Sequence, residues 1–465
     1  MEPTFSNMFP GADKSAWLAQ VQKEQKNNRA DVSAPEDSVL DGLRWHTTEG
    51  FVVDPYYTAS DLDNLPLDTI QAAQKQSPGW LNAPAFTTSS ATKTDNELMR
   101  TSLHKGADAL IITLASQVDW FSETGPLSRL LHGIKLSETP LFFRTSQPQQ
   151  LADMLGRIVP YSLKGGIQTP LPANSSTLTD YYQSIANLTR STLDATSFRT
   201  ISIGSESFHN AGANAVQELA FTLSLLADQY DFMTNSGLLI EQIVPKTMIS
   251  VATGTSYFME IAKLRALRVL LNRFLSAYNV ADLATNSFTI HCQTSVFYDS
   301  MSTPYTNLLR STTEAMAAVI GGCDLLTVHP YTSIVGQPQE QENRLARNVS
   351  ILLNDESFLG KVADPSAGSY YIENLTHQLI ESAWTMFLDV EQQGGFSQAS
   401  STGFIAGELQ RSYQKKVDAI RSGNVLVGVT KFRFDEPTPD NVNPDVASLS
   451  DESFLPLRRL ASEFE

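Results

Sequence analysis

Cysteine is nearly absent: two residues, Cys292 and Cys323, in a chain of 465. That count excludes a disulfide framework and a cysteine-rich metal site, and each thiol sits in an apolar run, so both are expected as small buried hydrophobes. Basic charge is also scarce. With 33 Lys and Arg against 50 Asp and Glu the formal charge is −17, and no Lys/Arg run interrupts it, which excludes nucleic acid as a partner. No stretch approaches the roughly eighteen consecutive apolar residues that span a bilayer, and the N-terminus MEPTFSNMFPGADKS has neither a basic nor an apolar leader segment. A soluble, cytoplasmic protein without a membrane partner is the expectation.

What is present is an alternation. From Ala107 to Ile372, short β-type runs alternate with longer segments of helical period, the pattern of repeated βα units. Eight strands are expected: Ala107 to Leu114, Pro140 to Thr145, Gly165 to Leu171, Arg199 to Ser205, Val244 to Ala252, Ser287 to Ser295, Cys323 to Pro330 and Gly368 to Glu373. Gly and Pro argue against a regular third strand. Between them, Leu267, Leu270, Leu271, Phe274 and Leu275 form one apolar helical stripe within Tyr257 to Tyr278. Asn210 to Tyr230, with Asn210 as cap, and Thr303 to Ile320, with Pro304 at its first position, read as helices too. Eight such units close into a (β/α)8 barrel, which also suits their spacing of about 30 residues. An open doubly wound sheet is the alternative, and no Gly-rich phosphate-binding fingerprint supports it.

The organisation expected is an N-terminal arm over residues 1–100 with one amphipathic helix (Lys14 to Gln25), a barrel over 101–430, and an acidic, Pro-rich linker over 431–465. The closing LRRLASEFE has helical pattern without a capping signal, so a further domain is expected after the linker or from a partner.

In such a barrel, chemistry sits at the C-terminal ends of the strands. The polar residues placed there are Arg144, Gln168, Ser205, Glu206, Ser207, Lys246, His291, Gln293, Thr294 and His329. No zinc-binding His spacing and no nucleophile elbow occur, and no metal is expected. A histidine inside a strand is more often structural than catalytic. The residues alone yield an acidic barrel without an assigned reaction.

Four segments in order then carry a resemblance: HNAGANAVQELAFTL (His209 to Leu223), GTSYFMEIAKLRALRVL (Gly254 to Leu270), HCQTS (His291 to Ser295) and DPSAGSYYIENLT (Asp364 to Thr376). Together they resemble the adenosylcobalamin-dependent methylmalonyl-CoA mutase family, from roughly Glu49 to the last residue. The resemblance implies a (β/α)8 barrel threaded by an acyl-CoA, an N-terminal arm, a linker and a separate cobalamin domain. It also exposes departures. Catalytic members carry a Tyr-His pair in S-G-Y-H-x-x-x-A-G, where this chain reads G-S-E-S-F-H-N-A-G and places Glu206 and Ser207. A carboxylate cannot donate to a thioester oxygen. His209 falls two residues late.

In the R-Q-Y-A-G-F motif the tyrosine becomes Ala83, and the arginine of P-R-L-S-F becomes Lys246, which keeps the charge but loses the planar fork. Gln168 in G-G-I-Q and Gln293 in H-C-Q-T-S are retained. Degenerate positions are therefore Glu206, Ser207 and Ala83, with Gln168, Lys246, His291, Gln293 and His209 as vestigial substrate or cofactor contacts. The D-x-H-x-x-G cobalt-ligand motif is absent from this chain.

The wording S-x-x-F-H-N-A-G-A-N-A-V-Q-E-L-A is similar to that of small, non-catalytic chains in heterodimeric members. The resemblance then implies a large catalytic subunit as partner. That subunit binds adenosylcobalamin and interconverts succinyl-CoA and methylmalonyl-CoA through a 5′-deoxyadenosyl radical, and this chain stabilises it without holding the cofactor. Two alternatives stay open: an active acyl-CoA mutase using a detached cobalamin domain, and an acyl-CoA-binding regulatory subunit. Small residues lining the barrel would leave a channel open; Phe142 or Phe143 pointing inward would close it.

Overall fold

The computed structural model describes residues 13–28, 41–122, 125–159, 161–173, 175–280, 287–336, 338–434 and 454–465. Among them, eight parallel strands close into a barrel. They are β1 (Leu81–Asn82 continuing as Ala85–Thr87), β2 (Leu110–Thr113), β3 (Leu141–Arg144), β4 (Gly165–Gln168), β5 (Phe198–Arg199 continuing as Ile201–Gly204), β6 (Thr247–Thr253), β7 (Thr289–Thr294) and β8 (Leu325–Thr327). Each pairs with the next in register, and β8 returns to β1 through Leu325 with Leu81 and Leu326 with Asn82. Helices on the outside bury the other face of the strands, as the (β/α)8 expectation requires.

Two strand assignments need correction. The segment LNAPAF, which contains Ala83 and precedes the first expected strand, is itself the first strand. Pro84 lacks a donor and splits it, but its carbonyl still accepts from the Ile111 amide, and the Ala83 amide still reaches the Leu326 carbonyl. At the other end, Gly368 to Glu373 is not a strand but the start of the helix Tyr370–Gln392, capped by the Ser369 hydroxyl on the Ile372 amide. Its aromatic and β-branched residues have strand propensity, and the cap together with Ile372, Leu375 and Leu379 buried at helical spacing overrides it.

β4 forms despite its glycines because it needs them. A Cβ on Gly165, at φ +110°, would lie 2.0 Å from the Leu141 carbonyl oxygen, and one on Gly166 would lie 2.3 Å from that of Arg199. Only glycine lets the backbones pack this closely.

The helix Tyr257–Ala277 buries its whole expected stripe, and Pro304–Ile320 starts after Thr303 with Pro304 as foreseen. The cap of Ala215–Asn235 is Asn214, whose side chain accepts from the Gln217 amide, and not Asn210, which lies in the short preceding helix Glu206–Asn210. Lys14–Asn28 is helical, but none of its described side chains is buried. Its expected apolar face reduces to Trp17 stacked on Tyr56 at 5.0 Å.

The arm lies over the chain's own barrel: the Asn374 amide reaches the Asp61 carbonyl and that of Asn214 the Thr48 carbonyl. Most of the expected linker falls outside the described residues. The closing segment is a short 3-10 turn, Leu460–Glu463, strapped to the barrel by the Leu460 amide on the Phe297 carbonyl and by buried Leu455, Leu460 and Ala461. Among the described residues no helix is long and apolar enough to cross a membrane.

Candidate functional site at the barrel mouth

Side chains alternate along each strand, so the two faces can be told apart by the company they keep. Leu110, Ile112, Leu141, Phe143 and Ile167 join the outer core beneath the helices. Their neighbours Ala109, Ile111 and Phe142 instead form a separate cluster with Ala83, Met248 and Leu325, which fills the barrel axis. Above it runs a polar layer. His291 is buried and takes both ring nitrogens to hydroxyls, Nδ1 to Ser250 Oγ and Nε2 to Thr327 Oγ1, each at 2.8 Å. Burial, with Arg144 and His329 nearby, drives its pKa well below the ordinary histidine value. A neutral imidazole bridging three adjacent strands is a structural member of the barrel.

The mouth opens one inward step above Phe142, at Arg144. Its Nε donates to Gln168 Oε1 at 2.6 Å and its Nη2 to Gln293 Oε1 at 3.3 Å. Glu206, at the start of the Glu206–Asn210 helix, brings Oε1 to 3.7 Å from the same Nη2. Burial raises the Glu206 pKa, and Arg144 opposes that rise. His329 is near enough to feel the arginine, its pKa pushed down to about 4 by burial and by Arg144. Gln168, Gln293 and Glu206 are thus brought together, joined by an arginine that the sequence marked only as one polar strand end.

The other candidates lie elsewhere. Lys246 sits at the opposite, N-terminal end of β6, where its ammonium donates to the Thr192 and Ala195 carbonyls; burial and Arg199 lower its pKa to about 8. Ala83 lines the filled axis. Ser207 turns its hydroxyl to the Gly204 carbonyl at 2.7 Å. His209 does not enter the barrel beside Gln168. Its Nε2 meets Ser295 Oγ at 2.8 Å, its Nδ1 faces Glu218 at 3.7 Å, and its ring packs on Phe297 and Tyr298.

Glu218 belongs to a buried charge relay that the sequence did not reveal. Lys263 Nζ is 2.7 Å from Glu218 and 2.6 Å from Glu260, and it donates to the Ala252 carbonyl. Burial would raise the Glu218 pKa, but Lys263 and His209 hold it below the usual carboxylate range; the two carboxylates conversely hold Lys263 above the ordinary lysine value despite its burial. The i,i+3 spacing of Glu260 and Lys263 was the only signal, and that spacing usually marks a solvated helix face.

Among the described residues no group of three or more His, Cys, Asp and Glu is placed to hold a metal ion. Both cysteines are buried and free.

The family model for methylmalonyl-CoA mutase matches residues 168–463, which include β5 to β8 and the mouth residues Gln168, Glu206 and Gln293. The chain belongs to the methylmalonyl-CoA mutase family. The methylmalonyl-CoA mutase small subunit of Porphyromonas gingivalis is 30% identical over the whole chain and 77% of its own length. The methylmalonyl-CoA mutase of Escherichia coli is 27% identical over 95% of this chain and 68% of its own length, and a probable small subunit from Mycobacterium bovis is 29% identical over 95% and 73%. Among solved structures, dihydropteroate synthase of Xanthomonas albilineans aligns over 61% of this chain and 94% of its own, at 13% identity and a TM-score of 0.34.

The mutase family implies cobalamin, and two of the three histidines near the strand ends are not free to ligate its cobalt. Of the histidines near the strand ends, His209 and His291 direct both ring nitrogens at protein groups, leaving neither available as a cobalt ligand.

Proposed function

We propose that this chain is the non-catalytic small subunit of a heterodimeric methylmalonyl-CoA mutase. In this reading a large partner subunit holds adenosylcobalamin and performs the isomerisation, and this chain stabilises it in the cytoplasm. One observation carries the reading: Phe142, 4% exposed, fills the barrel axis with Met248, Leu325 and Ile111 directly beneath Arg144. A pantetheine arm needs a continuous passage through that axis, and close-packed side chains leave none.

The mouth supports the same reading. Where catalytic relatives present hydroxyl and imidazole donors to a thioester, this chain presents a carboxylate paired with Arg144 and a serine turned to its own backbone. His209, the one residue that a two-residue gap could promote, is held by Ser295 and Glu218. The names of the Porphyromonas and Mycobacterium relatives support a partner. So does an outer groove where exposed Leu43, Trp45, Tyr56 and Tyr370 adjoin, a surface of the kind that a second protein covers.

The test is turnover of succinyl-CoA with adenosylcobalamin by the purified chain, alone and mixed with the large subunit, alongside acyl-CoA titration of the chain alone. No turnover and no acyl-CoA binding by the isolated chain, with a stoichiometric complex on mixing, are expected. Turnover by the isolated chain would overturn the reading, and saturable acyl-CoA binding without turnover would make it a regulatory binder.

A further inference from the structure

The mouth contains more polar capacity than its own contacts use. Arg144 can only donate, so its bonds to Gln168 Oε1 and Gln293 Oε1 fix the orientation of both amides. Gln168 Nε2 is then a donor, and among the described residues it has no partner although the side chain is 5% exposed. Glu206 Oε2 is likewise buried without a hydrogen-bond partner. Buried polar atoms are rarely left this way unless a ligand or ordered solvent meets them.

Arg144 is also incompletely used by its anion. Glu206 Oε1 stands 3.7 Å from Nη2, within ion-pair range but beyond a hydrogen bond, so the fork-on-carboxylate contact that arginine makes best is not formed. The guanidinium is instead positioned by two neutral glutamine oxygens, which hold it in place without cancelling its charge. An arginine so positioned, a free amide donor next to it and a carboxylate above it that the arginine does not hydrogen-bond are the parts of a receptor for a planar two-oxygen anion.

We propose that the mouth is a carboxylate-binding site occupied by the chain's own Glu206, with Arg144, Gln168 and Gln293 as its walls, so that a small free carboxylate enters once the Glu206 charge is removed. Glu206 thereby determines what the mouth excludes. The filled axis beneath, ending at Phe142, restricts an entering molecule to the mouth itself and so to a short carboxylate. The inference is independent of any partner subunit.

The experiment is a saturation-transfer NMR titration of acetate against the full chain, its E206Q variant and the E206Q/R144Q double variant at constant ionic strength, with sulfate as competitor. E206Q should bind acetate saturably and about tenfold or more tighter than the wild type, the change expected for one charge-assisted hydrogen bond. The double variant should lose that gain, and sulfate, which is tetrahedral, should displace acetate poorly. Equal acetate binding by wild type and E206Q, retention of the gain without Arg144, or equal competition by sulfate would each overturn the proposal. E206S, which also clears the carboxylate, serves if E206Q does not fold; failure of both to fold would make Glu206 a structural residue and overturn it as well.

Discussion

Phe142→Ala tests whether the barrel axis is solid. The ring is 4% exposed, and a buried phenylalanine covers on the order of 150–250 Å², which at about 25 cal/mol/Å² amounts to about 4–6 kcal/mol. Alanine retains part of that burial, and the surrounding strands cannot collapse far because their register is set by the closed ladder from β1 to β8, so a cost of about 3–5 kcal/mol is expected. Phe142→Leu keeps most of the volume and should cost about 1.5 kcal/mol or less. Urea denaturation followed by circular dichroism reads both. In a water-filled channel the Phe142 ring would already be hydrated on one side, and its removal would cost about half as much, about 2 kcal/mol or less. A loss that small, or equal losses for alanine and leucine, would refute the filled axis and with it the argument that acyl-CoA cannot thread this barrel.

Two further outcomes follow from the geometry. Lys263→Met should destabilise the chain at pH 7 by about 3–5 kcal/mol, because it leaves Glu218 and Glu260 as buried anions without their cation. The pH dependence should also change sign. In the wild type the Glu218 pKa is held down to about 2, below the ordinary carboxylate value, so its contribution is present above that ordinary value and is lost as pH falls toward 2. In the variant the buried Glu218 carboxylate, without Lys263 to oppose its burial, should titrate higher, and stability should instead recover as pH is lowered from 7 toward 5; urea midpoints at the two pH values would show it, and a wild-type-like profile would contradict the relay. Gly165→Ala should abolish soluble, cooperatively unfolding protein, since its Cβ would lie 2.0 Å from a backbone oxygen of β3; a folded variant losing under about 1 kcal/mol would show that β4 is not held that closely.

The mouth and the fold were legible to different degrees. Seven of the eight strands were readable because apolar, β-branched runs keep their identity whatever packs on them. The first was hidden by Pro84 and by alanines, whose place in a strand depends on β8 and β2 on either side. The glycines of β4 look like breakers until the backbones of Leu141 and Arg199 are placed against them. Gln168, Glu206 and Gln293 were identifiable from motif positions at strand ends. Lys246 was grouped with them, although it stands third in the expected strand Val244 to Ala252 and, in the structure, just before β6, so strand direction alone puts it at the far end of the barrel.

By itself, then, the order of residues determined the barrel class and the family, since both are written in local pattern and spacing. Only the tertiary structure decided that Phe142 points inward and Phe143 outward, that Arg144 is held between two glutamines, and that His209 turns to Ser295 and Glu218. Those outcomes depend on strand register and ring closure, which bring together residues as far apart as Leu81 and Leu325. A shift of one residue would exchange the two faces, and no stretch of sequence read alone carries that information.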